Sequence, residues 1–346
     1  MPRPSTQGQT NRHTRAALCC VLVAVLLGGT SFAHAVQKPS PLSQVQRLLP
    51  STTVALAFVP VRETMRESLS GLLNPEQKTE ALVKRLSKLS VDRVGLDVWA
   101  ADTAVPFWCE GGERGLIFLG DFGARSLRNT DRRLAGLPVI TMGDGVFLTK
   151  VGGALVVAPR AGIELLGRVA RGDHHKLLGT RRLQAFRSGR ESLRGDAVTV
   201  YAEGTWIIRS LSPRTQLSQA KSLKVVYGSC GEGRVSLHAL GAPEGVQLFA
   251  GLVQEAVGVL KLQHEMLLET AEGAADFGSR LGRVLLTEVL HGLVSSVVVE
   301  TQEDRMQVRF SLPRGLSLGG YTLVGALLSG SELDLPGLLK LPPATK

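Results

Sequence analysis

A chain of 346 residues, 44% hydrophobic and 20% charged, has the balance of a folded globular protein and excludes a disordered one. Aromatic residues are only 5% of the chain, so the core must be built from Leu, Val and Ala. The formal charge of +10 calls for anionic neighbours, whose nature depends on where the chain resides.

Residues 1–35 read as a secretory signal. Arg3, Arg12 and Arg15 form a positive start with no acid in it, and Ala16 to Gly29 is an apolar run too short to span a bilayer comfortably. Ala33-His34-Ala35 supplies the small-x-small pattern for cleavage before Val36. Cys19 and Cys20 lie inside the apolar run and not at a lipoprotein cleavage box. The chain is therefore expected in the periplasm or secreted, with no stable transmembrane segment after cleavage; an uncleaved anchor is the alternative. An exported basic protein does not meet DNA, so membrane head groups, acidic glycans or an acidic envelope protein remain as partners. Sequencing the exported form should start at Val36, and a membrane-bound product that keeps Met1 would overturn the cleavage.

Past the leader, Val54–Val59 is a continuous apolar run of a length that suits a strand buried on both faces. Two amphipathic helices are expected over Val61–Leu73 and Glu76–Leu89, then strands at Val91–Trp99 and Gly115–Leu119. Leu137–Met142, Val146–Val151 and Ala154–Ala158 are β-rich runs separated by Asp144-Gly145 and Gly152-Gly153, which predicts a β-meander. A helix over Ala161–Arg171 follows. The second half has strands at Ala197–Ala202, Leu223–Gly228 and Arg234–Leu240. Pro243 then opens a long helix with a stripe of Phe249, Leu252, Val253, Ala256, Val257 and Leu260. A helix over Phe277–Leu290 and a hairpin of Ser296–Glu300 with Arg305–Leu312 complete the pattern.

These elements predict an α+β fold: antiparallel hairpins packed against helices in two modules, residues 36–175 and 176–312, with a tail at 313–346. The stretches VPFWCEGGERGLIFLGDFGARSL and VVYGSCGEGRVSLHALGAPEGVQ share a rhythm of strand, Cys-bearing Gly turn and strand, which suggests an internal duplication. Cys109 and Cys230 are the two cysteines left after cleavage. An even pair in an oxidising compartment invites a disulfide, and two separate thiols are the alternative.

The order LLPSTTVALAFVP plus helix, then LAGLPVITMGDGVFLTKVGGALVVAPRAGIELL, resembles a family of exported bacterial proteins known only as a domain of unknown function. The resemblance covers roughly residues 48 to 312. It implies an extracytoplasmic α+β architecture and carries no site residues.

Catalytic templates fail at named positions. Gly315-Leu316-Ser317-Leu318-Gly319 fits the nucleophile-elbow pattern, but that order needs a later histidine and the last one is His291. Glu288 and His291 are half of a di-iron pair without its second half. His264-Glu265 starts like a zinc-protease helix, but position 268 is Leu. His174-His175 has no ligand partners at metal spacing. No metal or cofactor is therefore expected. From Arg160 to Arg194, nine basic residues face Glu164, Asp173 and Glu191, and Arg181, Arg182, Arg187 and Arg190 make the candidate patch for an anionic partner. The role these readings imply is a non-catalytic binding or structural component of the cell envelope. Two alternatives stand beside it. A hydrolase would use carboxylates such as Asp97, Asp121 and Glu203, and a lipid carrier would need an apolar cavity between the Val246–Leu260 helix and the sheet.

Overall fold

The computed structural model describes residues 41–61, 84, 87–88, 91–92, 95–97, 100–122, 127–128, 130–143, 145–191, 198–231, 234–270, 287 and 290–311. The first half runs α1 (Pro41–Val45), β1 (Thr53–Pro60), β2 (Ala101–Cys109), β3 (Arg114–Gly120), β4 (Arg132–Leu134), β5 (Leu137–Gly143), β6 (Val146–Val151), β7 (Ala154–Pro159), α2 (Arg160–Arg171) and α3 (Arg181–Glu191). The second runs β8 (Val198–Glu203), α4 (Gly204–Leu211), α5 (Leu217–Ser222), β9 (Leu223–Gly231), β10 (Arg234–Gly241), α6 (Pro243–Thr270), β11 (Val298–Thr301) and β12 (Arg305–Ser311).

The strands form one 12-stranded antiparallel sheet in the order β11-β12-β10-β9-β8-β1-β2-β3-β7-β6-β5-β4. The fold is α+β. β1 lies at the middle, paired with β2 on one side and β8 on the other, so its backbone is satisfied along both edges. A strand placed there has no solvent face, and Val54 to Val59 are accordingly all buried. Leu56 and Phe58 enter the core under α1, α2 and α3, with Phe107, Ile163, Phe186 and Tyr201. Ala55, Ala57 and Val59 enter the other core, with Val200, Ile207, Val246 and Phe249. This alternation puts small residues of β1 under the second helix layer and large ones under the first.

The division expected at 175/176 falls inside this sheet. The two halves are joined rung by rung from Ala55↔Ala202 to Phe58↔Thr199. The residues expected to link them also belong to the core: Leu177, Leu183 and Phe186 are buried, and Pro50 bridges to Lys176. Each half winds outward in a similar way, with three consecutive strands and then the last strand of the half beside the third. The two Cys-bearing turns occupy matching places, between β2 and β3 and between β9 and β10.

The meander forms as predicted, β5-β6-β7, with Gly145, Gly152 and Gly153 at φ 74, 55 and 88 in its turns. The strand expected over Val91–Trp99 does not form in its described residues. Positions 91–92 are helical, and Gly95 bends the chain at φ 82. The strand begins instead at Ala101.

Three glycines set the second helix layer on the sheet. A Cβ at Gly204, where α4 begins, would strike the Leu223 carbonyl. One at Gly241 or Gly245, on either side of the start of α6, would strike the backbone of Ser222 and Leu223. The helices can approach this junction only because no side chain intervenes. Gly245→Ala must therefore shift backbone and should lower the melting temperature clearly, at a cost of about 1–3 kcal/mol. Gly251→Ala in the same helix meets nothing within 4 Å, so it should be neutral or stabilise by up to about 1 kcal/mol. Thermal melts of the two variants side by side check the contact, and equal melting temperatures would refute it.

Candidate functional site

The N-terminal part of α6 is pinned: Val246, Phe249 and Ala250 are buried in the core. Beyond Gly251 the helix leaves the sheet. Leu252, Val253, Ala256, Val257 and Leu260 are only half-buried, although they continue the same stripe. The space beneath them is a partly open groove of about 140 Å³. α4 closes one side with Trp206, Ile207, Ser210 and Leu211. Val226 of β9, Leu237 of β10, and Val308 and Phe310 of β12 form its floor. Leu293 and Val294 of the helical stretch 290–296, with Val297, form the far wall. Apart from the Trp206 indole and the Ser210 hydroxyl, the lining side chains are hydrocarbon or phenyl.

The stripe named from the sequence is the groove wall, residue for residue. Its periodicity gave no sign of the space beneath, because a packed stripe and an unpacked one read alike. The opposite side of α6 is also apolar in places: Val259, Leu262 and Met266 are exposed. Pro243–Met266 is long and apolar enough to cross a membrane, with a mean hydropathy of 1.3 and only 22% of that window buried.

His264 and His291 come from two separately rejected metal motifs, and the structure puts them side by side, ring centroids 5.4 Å apart. Among the described residues no group of three or more His, Cys, Asp or Glu side chains could hold a metal ion. His174 turns Nδ1 to the carbonyl oxygen of His175, which itself accepts from Ser51 N. Glu288, Ser317 and the tail at 313–346 lie outside the described residues.

Of the carboxylates named for a hydrolase, Glu203 and Asp121 do not converge. Glu203 ends β8 at the level of Val225, close to the Cys109 end of β2, whereas Asp121 follows β3 at the Ala101 end of the sheet. Asp97 accepts from Ser87 Oγ at 2.5 Å. None of the three lines the groove.

Cys109 is a buried free thiol. β1 and β8 separate its strand from that of Cys230, three strand spacings or about 14 Å, well past the reach of a disulfide. The register sets them further apart, since Cys109 lies level with Thr53 while Cys230 pairs with Val198. The bridge is therefore excluded. Burial pushes the Cys109 thiol up to about 11, against the lowering effect of hydrogen bonds with Thr52 and Thr53, which leaves it unreactive.

The arginine patch is partly consumed by the molecule itself. Arg182 donates from Nε to Glu203 at 2.8 Å, from Nη2 to Glu110 at 3.1 Å and from Nη1 to the Ser51 carbonyl at 3.0 Å. It thereby fastens α3 to the end of β8, the β2–β3 turn and the approach to β1. Arg187 Nη2 donates to Gln46 Oε1 at 2.9 Å, tying α3 to the turn that follows α1. Arg181 is exposed, and the side chain of Arg190 lies outside the described ones. Because this clamp is only half-buried, Arg182→Ala should cost about 1–2 kcal/mol. Arg181→Ala should cost nothing measurable. Urea unfolding of both variants checks this, and equal midpoints would remove the clamp.

No protein-family model matches the chain, and no curated protein matches it. They neither support nor oppose the resemblance to exported proteins of unknown function. Among solved structures, a chain titled "Structure of crystal form I of TP0453" aligns with 82% of this chain and 96% of its own length, at 10% identity and a TM-score of 0.33. At that score the likeness carries no argument.

Proposed function

We propose that this chain is a non-catalytic, exported component of the bacterial envelope that binds the hydrocarbon part of an amphiphile in the groove under α6. The supporting observation is the half-buried stripe from Leu252 to Leu260, held over open apolar space by a helix whose start is fixed on the sheet. Moving a Leu or Val side chain from half-exposed to buried is worth on the order of 1 kcal/mol, so several together make a useful binding surface for a hydrocarbon chain. Among the described residues the lining is without carboxylate or imidazole side chains, which favours binding over hydrolysis. Export, the leader and the resemblance described above supply the envelope part of this reading. The exposed Val259, Leu262 and Met266 give the same helix an outer face that suits contact with a bilayer surface during loading.

A neutral naphthylamine dye tests the groove directly. Wild-type protein should bind it with enhanced fluorescence, and dodecanol should displace it. Ala256→Trp, which fills the groove from the α6 side, should weaken dye binding at least tenfold while leaving the melting temperature unchanged or raised. Dye affinity unaltered by that substitution would refute the groove as the site.

A further inference from the structure

We infer that the groove selects an amphiphile with a carboxylate head, a single-chain fatty acid, and that His264 and His291 hold that head. This rests on the reading of the groove as a hydrocarbon site and adds the chemical class of its ligand. Leu260 is the last α6 residue in the wall, and His264 follows it by one helical turn on the same side. His291 precedes Val294, another wall residue, by three positions in the helical stretch 290–296. The two imidazoles meet 5.4 Å apart at this end of the groove. His264 is half-buried and His291 exposed, as expected for groups at a mouth.

Length and donor capacity agree with the assignment. Phe249 to Leu260 covers roughly 16 Å of helix, close to an extended chain of about twelve carbons, which would lie along the open side of a groove of about 140 Å³ and be only partly enclosed by it. Each imidazole offers at least one N–H donor, and a carboxylate has two oxygens to receive them. Lys261, three residues before His264, is exposed and one helical turn from Glu265, so these two charges offset one another at the surface. Glu265 is turned about 100° round the helix from His264. An alcohol of equal chain length fills the groove equally well but brings no anion to the mouth, so acid and alcohol separate the head from the tail.

Titration calorimetry of the full chain with dodecanoate and with dodecanol at pH 7, below their aggregation limits and with chelator present, tests this assignment. Chelator prevents a cation between the imidazoles from supplying the preference. Wild type should bind dodecanoate at least tenfold more tightly than dodecanol. The double variant His264→Ala with His291→Ala should lose that difference and keep its dodecanol affinity within twofold, which also shows that it remains folded. Replacing both by Gln, which retains N–H donors, should restore part of the preference. A preference that survives the Ala double variant, or equal binding of both probes by wild type, overturns the headgroup assignment and leaves the groove standing. Binding of neither probe overturns the groove reading itself, and the headgroup assignment with it.

Discussion

The pairing of β1 with both β2 and β8 is the constraint on which the rest of the molecule depends. It places a strand from the start of the folded chain at the centre of the sheet, between neighbours that come from different halves of the sequence. A strand in that position can expose neither edge nor face, so every residue from Val54 to Val59 has to suit a packed interior. The period-two alternation then assigns the two helix layers. Leu56 and Phe58 demand space that α2 and α3 fill with Ile163 and Phe186, while Ala55 and Ala57 let the second layer come close. The Arg182 clamp completes the same seam from outside, since Glu203, Glu110 and Ser51 belong to β8, the β2–β3 turn and the approach to β1.

The close approach of the second layer has a geometric consequence at the groove. Gly204, Gly241 and Gly245 bring the starts of α4 and α6 against the same two residues, Ser222 and Leu223. From this fixed point α6, 28 residues long, runs on over a sheet whose strands turn beneath it. Contact is tight at Val246 and Phe249 and opens past Gly251. The groove lies where the helix, packed closely at its start, stands off from the sheet. Its lining is uniformly apolar because the side chains are those of an ordinary core helix, of which Val253 still packs against the core beneath while the stripe as a whole stays only half-buried.

Much of the fold was legible in the sequence where local chemistry and tertiary placement agree. The β5-β6-β7 meander follows from glycines at turns that need positive φ, and β12 from the alternation of Met306, Val308 and Phe310 with arginines and glutamine. β2 was read only as the strand just before the Cys-bearing turn; its start at Ala101 was missed because the polar Asp102 and Thr103, followed by Pro106, argue against an interior strand. Each residue contributes one N–H, so the proline removes one rung, a loss that neighbours on both edges absorb. α4 and α5, of eight and six residues, are too short for a 3.6-residue period to declare itself. The Val91–Trp99 alternation misled because Gly95 turns the chain before any strand can develop. Arg182 read as one cation among many, since a chain read linearly does not show that Glu110 and Glu203 come within reach.

The candidate site was legible as a stripe and illegible as a space, and the difference bears on its use. A helix that leaves Leu252, Val253, Ala256, Val257 and Leu260 half-wetted forgoes stabilisation that a modest tilt or bulkier floor residues would recover. Gly251 and Gly258 increase the cost, because a helix without function at that position gains from alanine at both and meets no steric obstacle to it. Those features are coherent if the half-wetted stretch is kept for a ligand: a hydrocarbon chain laid under Leu252 to Leu260 recovers the burial that the helix forgoes, and it does so beside the end of α6 that carries His264.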